Sequence, residues 1–306
     1  MNKRSTGSKV LEVVMVGLVR CVFALERLLG TSCSIWLGGW LARTFGRFFK
    51  ANRIALDNLR SVFPEKKNAD LNSILSGAWD NLGRVGAEYA HLSRLVDIDK
   101  NNPDSETRCE MVGMEYLQAL KEDEKPGILF AAHLGNWELL AVCAARLGLD
   151  LTSVFREPND PAIARVIHEI RSQTMGKLQA ARPGAAFRLI NSLEKGSHLG
   201  LLMDQHFTRG VVVNFLGRPA LTNPILAKLV RQLECPVHGA RVVRLPQGRF
   251  RIEVTSPMVF ERDHEGKIDI QKATQAMTSV IEKWILEHPE QWLWMHRRWR
   301  QLPLQQ

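Results

Sequence analysis

The 306-residue chain contains no Gly-x-Ser-x-Gly, no P-loop, no Gly-x-Gly-x-x-Gly and no His-Glu-x-x-His. A serine acyl-enzyme, phosphoryl transfer, dinucleotide binding and zinc hydrolysis therefore lack their usual sequence support. The five cysteines, Cys21, Cys33, Cys109, Cys143 and Cys235, form no Cys-x-x-Cys pair. That set argues against a disulfide framework or a zinc site and for reduced thiols in a cytoplasmic compartment. Ligand spacings of the usual kinds are missing around His133, Glu138 and His206, so neither a metal nor a cofactor is expected. The longest charge-free run in the amino-terminal stretch, residues 28–42, has 15 residues. That is short of the roughly 18–20 that cross a bilayer core unaided. No internal repeat and no low-complexity linker divides the chain.

What is present is a hydrophobic content of 45%, enough for a substantial core in one large domain or two unequal parts. Basic residues exceed acidic ones by 41 − 32 = 9. The excess is uneven: residues 1–60 carry ten basic side chains against Glu12, Glu26 and Asp57. The amino-terminal end thus expects an anionic partner, a lipid surface or a nucleic acid. No nucleic-acid recognition motif is present, and the basic residues adjoin a strongly apolar segment, which favours lipid. Read as one helix, Val10 to Phe49 gathers Lys9, Glu12, Arg20, Glu26 and Arg27 into a strip interrupted by Val16 and Phe23. Such a segment lies in a membrane interface, or spans a thinned bilayer with Arg27 and Arg43 snorkelling, or packs as a soluble hairpin. No small-x-small site stands out for a cleaved leader.

Downstream, apolar spacing predicts a helix from Asn52 to Phe63, stopped by Pro64, and a longer one capped by Asp70 or Asn72 and running to about Leu95. Asn101–Asp104 reads as a loop, Cys109–Val112 as a short strand and Met114–Lys121 as a helix. Strands at Gly127–Ala132, Leu151–Phe155 and His198–Met203 alternate with helices at Trp137–Leu147, Pro161–Met175 and Ala185–Lys195. Val211–Phe215 continues as a strand and Pro224–Leu233 as a helix. Val237–Arg244 and Arg249–Thr255 form a hairpin, and a last helix through Trp284 ends near His288-Pro289. The fold class is α/β, a mainly parallel, doubly wound sheet flanked by helices, with an amino-terminal membrane-associating helical segment. The partition is a membrane-associating segment at 1–50, a helical layer at 51–125 and an α/β core at 126–306, one catalytic domain overall.

His133 follows an apolar strand, at the edge where open parallel sheets keep their chemistry. A histidine that takes a proton from a hydroxyl needs an acceptor on its far nitrogen, best a carboxylate. The Gly135-Asn136 turn can fold Glu138 back onto His133, and its backbone N–H groups at a helix start can face an oxyanion. Direct transfer to a bound hydroxyl fits such a pair. For an isolated His-x4-Glu, a satisfied structural histidine is the better reading.

Several further motifs keep this order along the chain. They are Asn58-Leu59 with Phe63-Pro64-Glu65, His133-Leu134-Gly135-Asn136-Trp137-Glu138, Phe155-Arg156, Arg171, Asp204-Gln205, Phe215-Leu216-Gly217-Arg218-Pro219-Ala220 with Thr222, and Pro289 to Trp299. Together, from roughly Asn52 to Pro303, they resemble the late acyltransferases of lipid A biosynthesis within the lysophospholipid acyltransferase superfamily. Phe155 stands where many relatives have tyrosine. The resemblance implies an α/β acyltransferase fold, His133 and Glu138 as the catalytic dyad, and an acyl thioester donor, typically acyl carrier protein, with acyl-CoA the alternative. It also implies a lipid A precursor as acceptor and a place on the cytoplasmic face of the bacterial inner membrane. A related glycolipid, phospholipid or aminolipid acceptor stays open, as does a non-catalytic membrane-docking relative.

Substrate-binding candidates are Arg156 at a strand end, Arg171 at the edge of the inward face made by Ile163, Val166, Ile167 and Ile170, Asp204, Gly135 and Asn136. Arg165 points away. A guanidinium at either arginine position can clamp a phosphate or carboxylate. Asp204 either orders the site or caps a loop. The basic, tryptophan-rich close, with Arg297, Arg298 and Arg300, either meets headgroups or an acidic carrier, or folds back with its tryptophans buried.

Overall fold

Gly30, at φ +76°, breaks the amino-terminal apolar stretch into α1 (Thr6–Leu29) and α2 (Thr31–Phe45), so the single helix of the sequence reading is two. The computed structural model describes residues 6–96, 108–123, 125–158, 160–182 and 184–300, with side chains from residue 13 onward. α3 (Lys50–Val62) ends before Pro64 as expected, while α4 (Asn68–Glu88) begins earlier than Asp70 and stops short of Leu95, leaving the brief α5 (Leu92–Leu95). The Asn101–Asp104 loop lies outside the described residues.

There follow β1 (Cys109–Val112), α6 (Met114–Glu122), β2 (Ile128–Ala131), α7 (Glu138–Arg146), β3 (Leu151–Phe155) and α8 (Pro161–Thr174). Next come β4 (Lys177–Ala180), α9 (Ala185–Glu194), β5 (His198–Leu202), β6 (Val211–Phe215) and β7 (Arg218–Thr222). The series closes with α10 (Ile225–Leu233), β8 (Val237–Arg244), β9 (Phe250–Val254) and α11 (Ile270–Glu287). Strands β4 and β7 were not expected. β4 is a half-buried edge strand, and β7 carries Pro219, which a two-stranded hairpin tolerates because one side of each strand is unpaired.

Seven strands form one sheet in the order β1-β9-β8-β2-β5-β3-β4, parallel throughout except between β8 and β9. Strand β2 is wholly buried and central, which its unbroken apolar run requires of a sheet covered on both faces. One face carries Phe130, Leu199, Met277, Ile281 and Trp284, with Phe130 and Trp284 stacked at 6.0 Å. The other face packs Leu139, Val142, Val166, Ile170 and Ile252, together with Val16 of α1 and Ile35 of α2. The β6–β7 hairpin stands apart and is tied to α11 by Gln275, whose side chain accepts from the Asn214 N–H and donates to its carbonyl.

α2 is fastened to α4 at a glycine crossing. A Cβ on Gly38 would lie 2.7 Å from the Gly83 carbonyl oxygen, and one on Gly83 would lie 2.2 Å from that of Gly38. Only two glycines allow the backbones this close. α1 reaches α8, where Arg20 pairs with Glu169. Both helices keep apolar side chains in solvent, among them Leu18, Leu25, Leu28, Trp36, Trp40 and Phe45. Among the described residues no helix is long and apolar enough to cross a membrane.

Candidate active site

The parallel register places the two key side chains. Ala131 of β2 pairs with Leu202 of β5, and the Met203 N–H donates to the Ala131 carbonyl. His133 and Asp204 each stand two residues beyond those partners, so neighbouring strands deliver them side by side at the carboxyl edge of the sheet. The His133 Nδ1 is 2.8 Å from Asp204 Oδ1, and the His133 backbone N–H donates to Oδ2 at 3.0 Å. Trp292 Nε1 donates to the same Oδ2 at 2.7 Å.

Asp204 is buried. Burial alone would raise its pKa, but the attraction and hydrogen bond of His133, the attraction of His296 and the Trp292 N–H outweigh it and hold the carboxyl well below the usual range. A permanent carboxylate at Nδ1 assigns the proton to that nitrogen and leaves Nε2 with its lone pair. Nε2 lies 3.4 Å from the Gln205 amide.

The sequence reading had Glu138 folding back onto His133. Instead its carboxylate accepts from the Tyr89 hydroxyl at 2.6 Å, from Trp137 Nε1 at 2.9 Å and from Arg171 Nε at 3.0 Å. Glu138 opens α7, whose first turn turns it away from the strand end, and it meets His133 through Trp137, whose ring stands edge-on to the imidazole at 5.0 Å. Arg171 is thus already engaged by a carboxylate of the protein. Burial opposes its charge, yet Glu138 and Tyr89 more than compensate and raise its pKa above the ordinary arginine value. Burial, reinforced by Glu138, raises the Tyr89 pKa well above normal, keeping it a donor. Arg156 is exposed one residue beyond β3. Ile163, expected to face inward, is exposed at the start of α8.

The Gly135–Asn136 turn is built from below by residues to which the sequence assigned no chemistry. The Gly135 N–H donates to the Gln291 carbonyl at 3.1 Å, so it does not face solvent as an oxyanion donor. Gly135 has φ +57°, and a Cβ there would lie 2.1 Å from the Val242 carbonyl oxygen. Asn136 is fully buried; its amide donates to Glu88 at 2.7 Å and its carbonyl oxygen receives the Glu138 N–H at 3.1 Å. Glu88 is bound by both terminal nitrogens of Arg244, while Asn81 donates to the carbonyls of Gly135 and Gln291. Both turn residues therefore shape the site from within. Glu88, Tyr89 and Asn81 sit on or at the end of α4, far from His133 in sequence, and a Glu-Tyr pair closing a helix was the one available signal.

The carboxyl-terminal tail completes the site. Leu134 bridges Trp292, and the Leu293 N–H donates to the His133 carbonyl at 3.1 Å, so the tail runs antiparallel beside the histidine. Trp292, Trp294 and Arg298 are buried and Trp299 is half-buried, while Arg297 and Arg300 stay exposed, so the folded-back alternative describes two of the three tryptophans and only part of the basic set.

His296 is packed edge-on to Trp292 at 5.3 Å, and burial pushes its pKa down to about 4. The unfolded ring titrates near 6.5. Between those values the unfolded chain binds more protons, so stability falls as pH drops through this window, by up to about 3 kcal/mol for this one residue. His91, His198, His206 and His238 are shifted in the same direction. Urea unfolding as a function of pH is expected to show a shallower acid-side loss in His296→Gln than in the parent; parallel curves would refute the assignment.

Beside the site lies an apolar cavity of about 90 Å³. Trp137, Glu138, Phe155, Arg171, Leu117 and Val254 are among the residues that line it. Ala131, Leu202 and Phe155 line it at the carboxyl edge of the sheet and Leu129, Leu151 and Gly200 deeper in, alternate residues that share one face. It is therefore a slot against one face of the sheet, and Trp137, edge-on to the His133 ring, is part of its wall.

A histidine paired with a buried carboxylate thus stands at the carboxyl edge of a parallel α/β sheet, beside an apolar slot. The model of the bacterial lipid A biosynthesis acyltransferase family matches residues 1–301, and the chain belongs to that family. It is an acyltransferase. It is 23% identical over 263 residues to lipid A biosynthesis acyltransferase 2 of Shigella flexneri, covering 85% of this chain and 80% of that one. It is likewise 23% identical over 278 residues to lipid A biosynthesis acyltransferase of Haemophilus influenzae, covering 89% and 81%.

Proposed function

We propose that the enzyme transfers a fatty acyl group from an acyl thioester, that of acyl carrier protein, to a hydroxyl of a lipid A precursor at the cytoplasmic face of the inner membrane. The observation that carries this reading is the His133–Asp204 pair beside the apolar slot, joined to it through Trp137. His133 Nε2 takes the hydroxyl proton as the oxygen attacks the thioester carbonyl, and Asp204 stabilises the imidazolium. Collapse of the tetrahedral intermediate expels the thiolate, which takes the proton back from His133. The base is regenerated, with one C–O bond formed and one C–S bond broken. The Gln205 amide stands beside Nε2 and serves the developing oxyanion. Glu138, neutralised by Arg171, holds Trp137 against the imidazole and so fixes the entry of the acyl chain.

The exposed apolar side chains of α1 and α2, set among Arg20, Arg27 and Arg43, support a membrane-docked position with these helices lying in the interface. Residues 1–50 act as that membrane-directed segment of a single catalytic unit, with 51–125 the helical layer and 126–306 the α/β core. The decisive test is mass spectrometry of extracted lipid A from a strain lacking the protein. Loss of a secondary acyl chain is expected, and an unchanged acyl pattern would sink the proposal.

The slot also fixes chain length. A Cβ on Gly200 would lie 3.3 Å from Leu151 Cδ2, so a small side chain is accommodated by a flexible neighbour while a larger one fills the deep end. Gly200→Val is expected to move the preferred donor toward shorter acyl chains, read from a ladder of acyl thioesters. An unchanged preference would place the chain elsewhere.

A further inference from the structure

A second site lies on the far side of the tail. Lys50 and Arg53, from the first turn of α3, and Arg297 of the tail line a groove of about 520 Å³ walled by Trp299. All three cations are exposed, and among the described residues no carboxylate pairs with any of them. Elsewhere Arg20, Arg171, Arg182, Arg231, Arg244 and Arg262 each hold a carboxylate. Asp57 is the one acid in the groove, which leaves an excess of 3 − 1 = 2 positive charges.

The groove is built, not a chance meeting of flexible ends. Asn58 donates to the carbonyls of Trp294 at 2.9 Å and His296 at 2.8 Å, clamping α3 to the tail and fixing the spacing of the cations. Trp299 stacks on Phe215 at 5.7 Å and meets the edge of Trp292, whose indole N–H is on Asp204. The groove wall is therefore two rings from the catalytic pair. On its other flank Phe48 and Phe49, 71% and 62% exposed, lead directly into Lys50 and extend the apolar surface of α2. Cations bordering exposed aromatic rings sit at the depth of lipid headgroups.

We propose that this groove binds a phosphate group on the headgroup of the acceptor lipid, so that its hydroxyl is presented to His133. The inference rests on the reading of the acceptor as a membrane lipid. Unpaired guanidinium and ammonium groups recognise phosphate by charge-assisted hydrogen bonds, and Asp57 offers an acceptor for a neighbouring sugar hydroxyl. An acidic carrier protein is the less suited occupant, since the groove continues an apolar, lipid-facing surface.

The test uses the full chain in neutral detergent micelles with two acceptors, an acylated glucosamine disaccharide phosphate and the same lipid after enzymatic dephosphorylation. For the double variant Arg53→Glu/Arg297→Glu, kcat/KM is expected to fall at least about tenfold further with the phosphorylated acceptor than with the dephosphorylated one, through KM. Arg53→Lys should largely restore the preference, and melting temperatures verify folding. Equal losses with both acceptors, or none, overturn the proposal. So does suppression of the wild-type preference by excess phosphatidylglycerol, which would make the groove a site for bulk phospholipid. If neither acceptor is acylated by the wild type, the functional reading has failed. Equilibrium binding of the two lipids then judges the groove alone: a wild-type preference for the phosphorylated lipid that the double variant loses upholds it, and no preference overturns it.

Discussion

His133→Ala is expected to abolish acyl transfer, a loss of about 10³–10⁴-fold or more, with little change in melting temperature, because the ring is at the sheet edge and its removal empties no core. The informative comparison is between the two carboxylates. Asp204→Asn removes the charge that stabilises the His133 imidazolium and is expected to cost about 10²–10⁴-fold in kcat/KM. Glu138→Gln is expected to cost less than that, because its carboxylate is paired with Arg171 and reaches the imidazole only through Trp137. A Glu138→Gln loss in kcat/KM larger than that of Asp204→Asn would return the orienting role to Glu138.

Glu88→Ala is expected to cost about 3–5 kcal/mol of folding stability, because it strands the half-buried Arg244 guanidinium and the buried amide of Asn136 without their acceptor. Urea unfolding reads the loss. The double change Glu88→Leu/Arg244→Met removes both charges and is expected to recover much of that stability while activity stays low, since Asn136 no longer holds the turn. A stability loss below about 1 kcal/mol in Glu88→Ala, the range of a surface ion pair, would show that the network bears little weight.

Much of this architecture was legible in the chain. Hydrophobic period marks β1 and β3 to the residue and most helices to within a few, and the alternation of strands with helices announces the parallel sheet. Register is what periodicity omits. Asp204 stands at a strand end in the sequence as plainly as His133 does, but that β5 lies beside β2 follows only from strand order, and no local pattern encodes it. For the same reason the short span from His133 to Glu138 favoured the wrong partner for the imidazole: sequence nearness stands in for contact where the chain turns, and α7 begins at Glu138 and turns it away. The polar residues under the turn, Asn81, Glu88, Arg244 and Gln291, come from four distant segments and signal nothing until they meet. The two amino-terminal helices were read as one because Gly30 inside an apolar stretch carries the same weight as any glycine until its φ is known.

The antiparallel run of Gln291 to Leu293 beside His133 also bears on how the enzyme is made. Trp292 leaves the ribosome long after His133, and until it arrives Asp204 lacks the indole N–H that helps keep it ionised under the imidazole. On the proposed reading, a chain released before the tail is expected to lack a fully ordered His133–Asp204 pair and so to leave its acyl donor unspent.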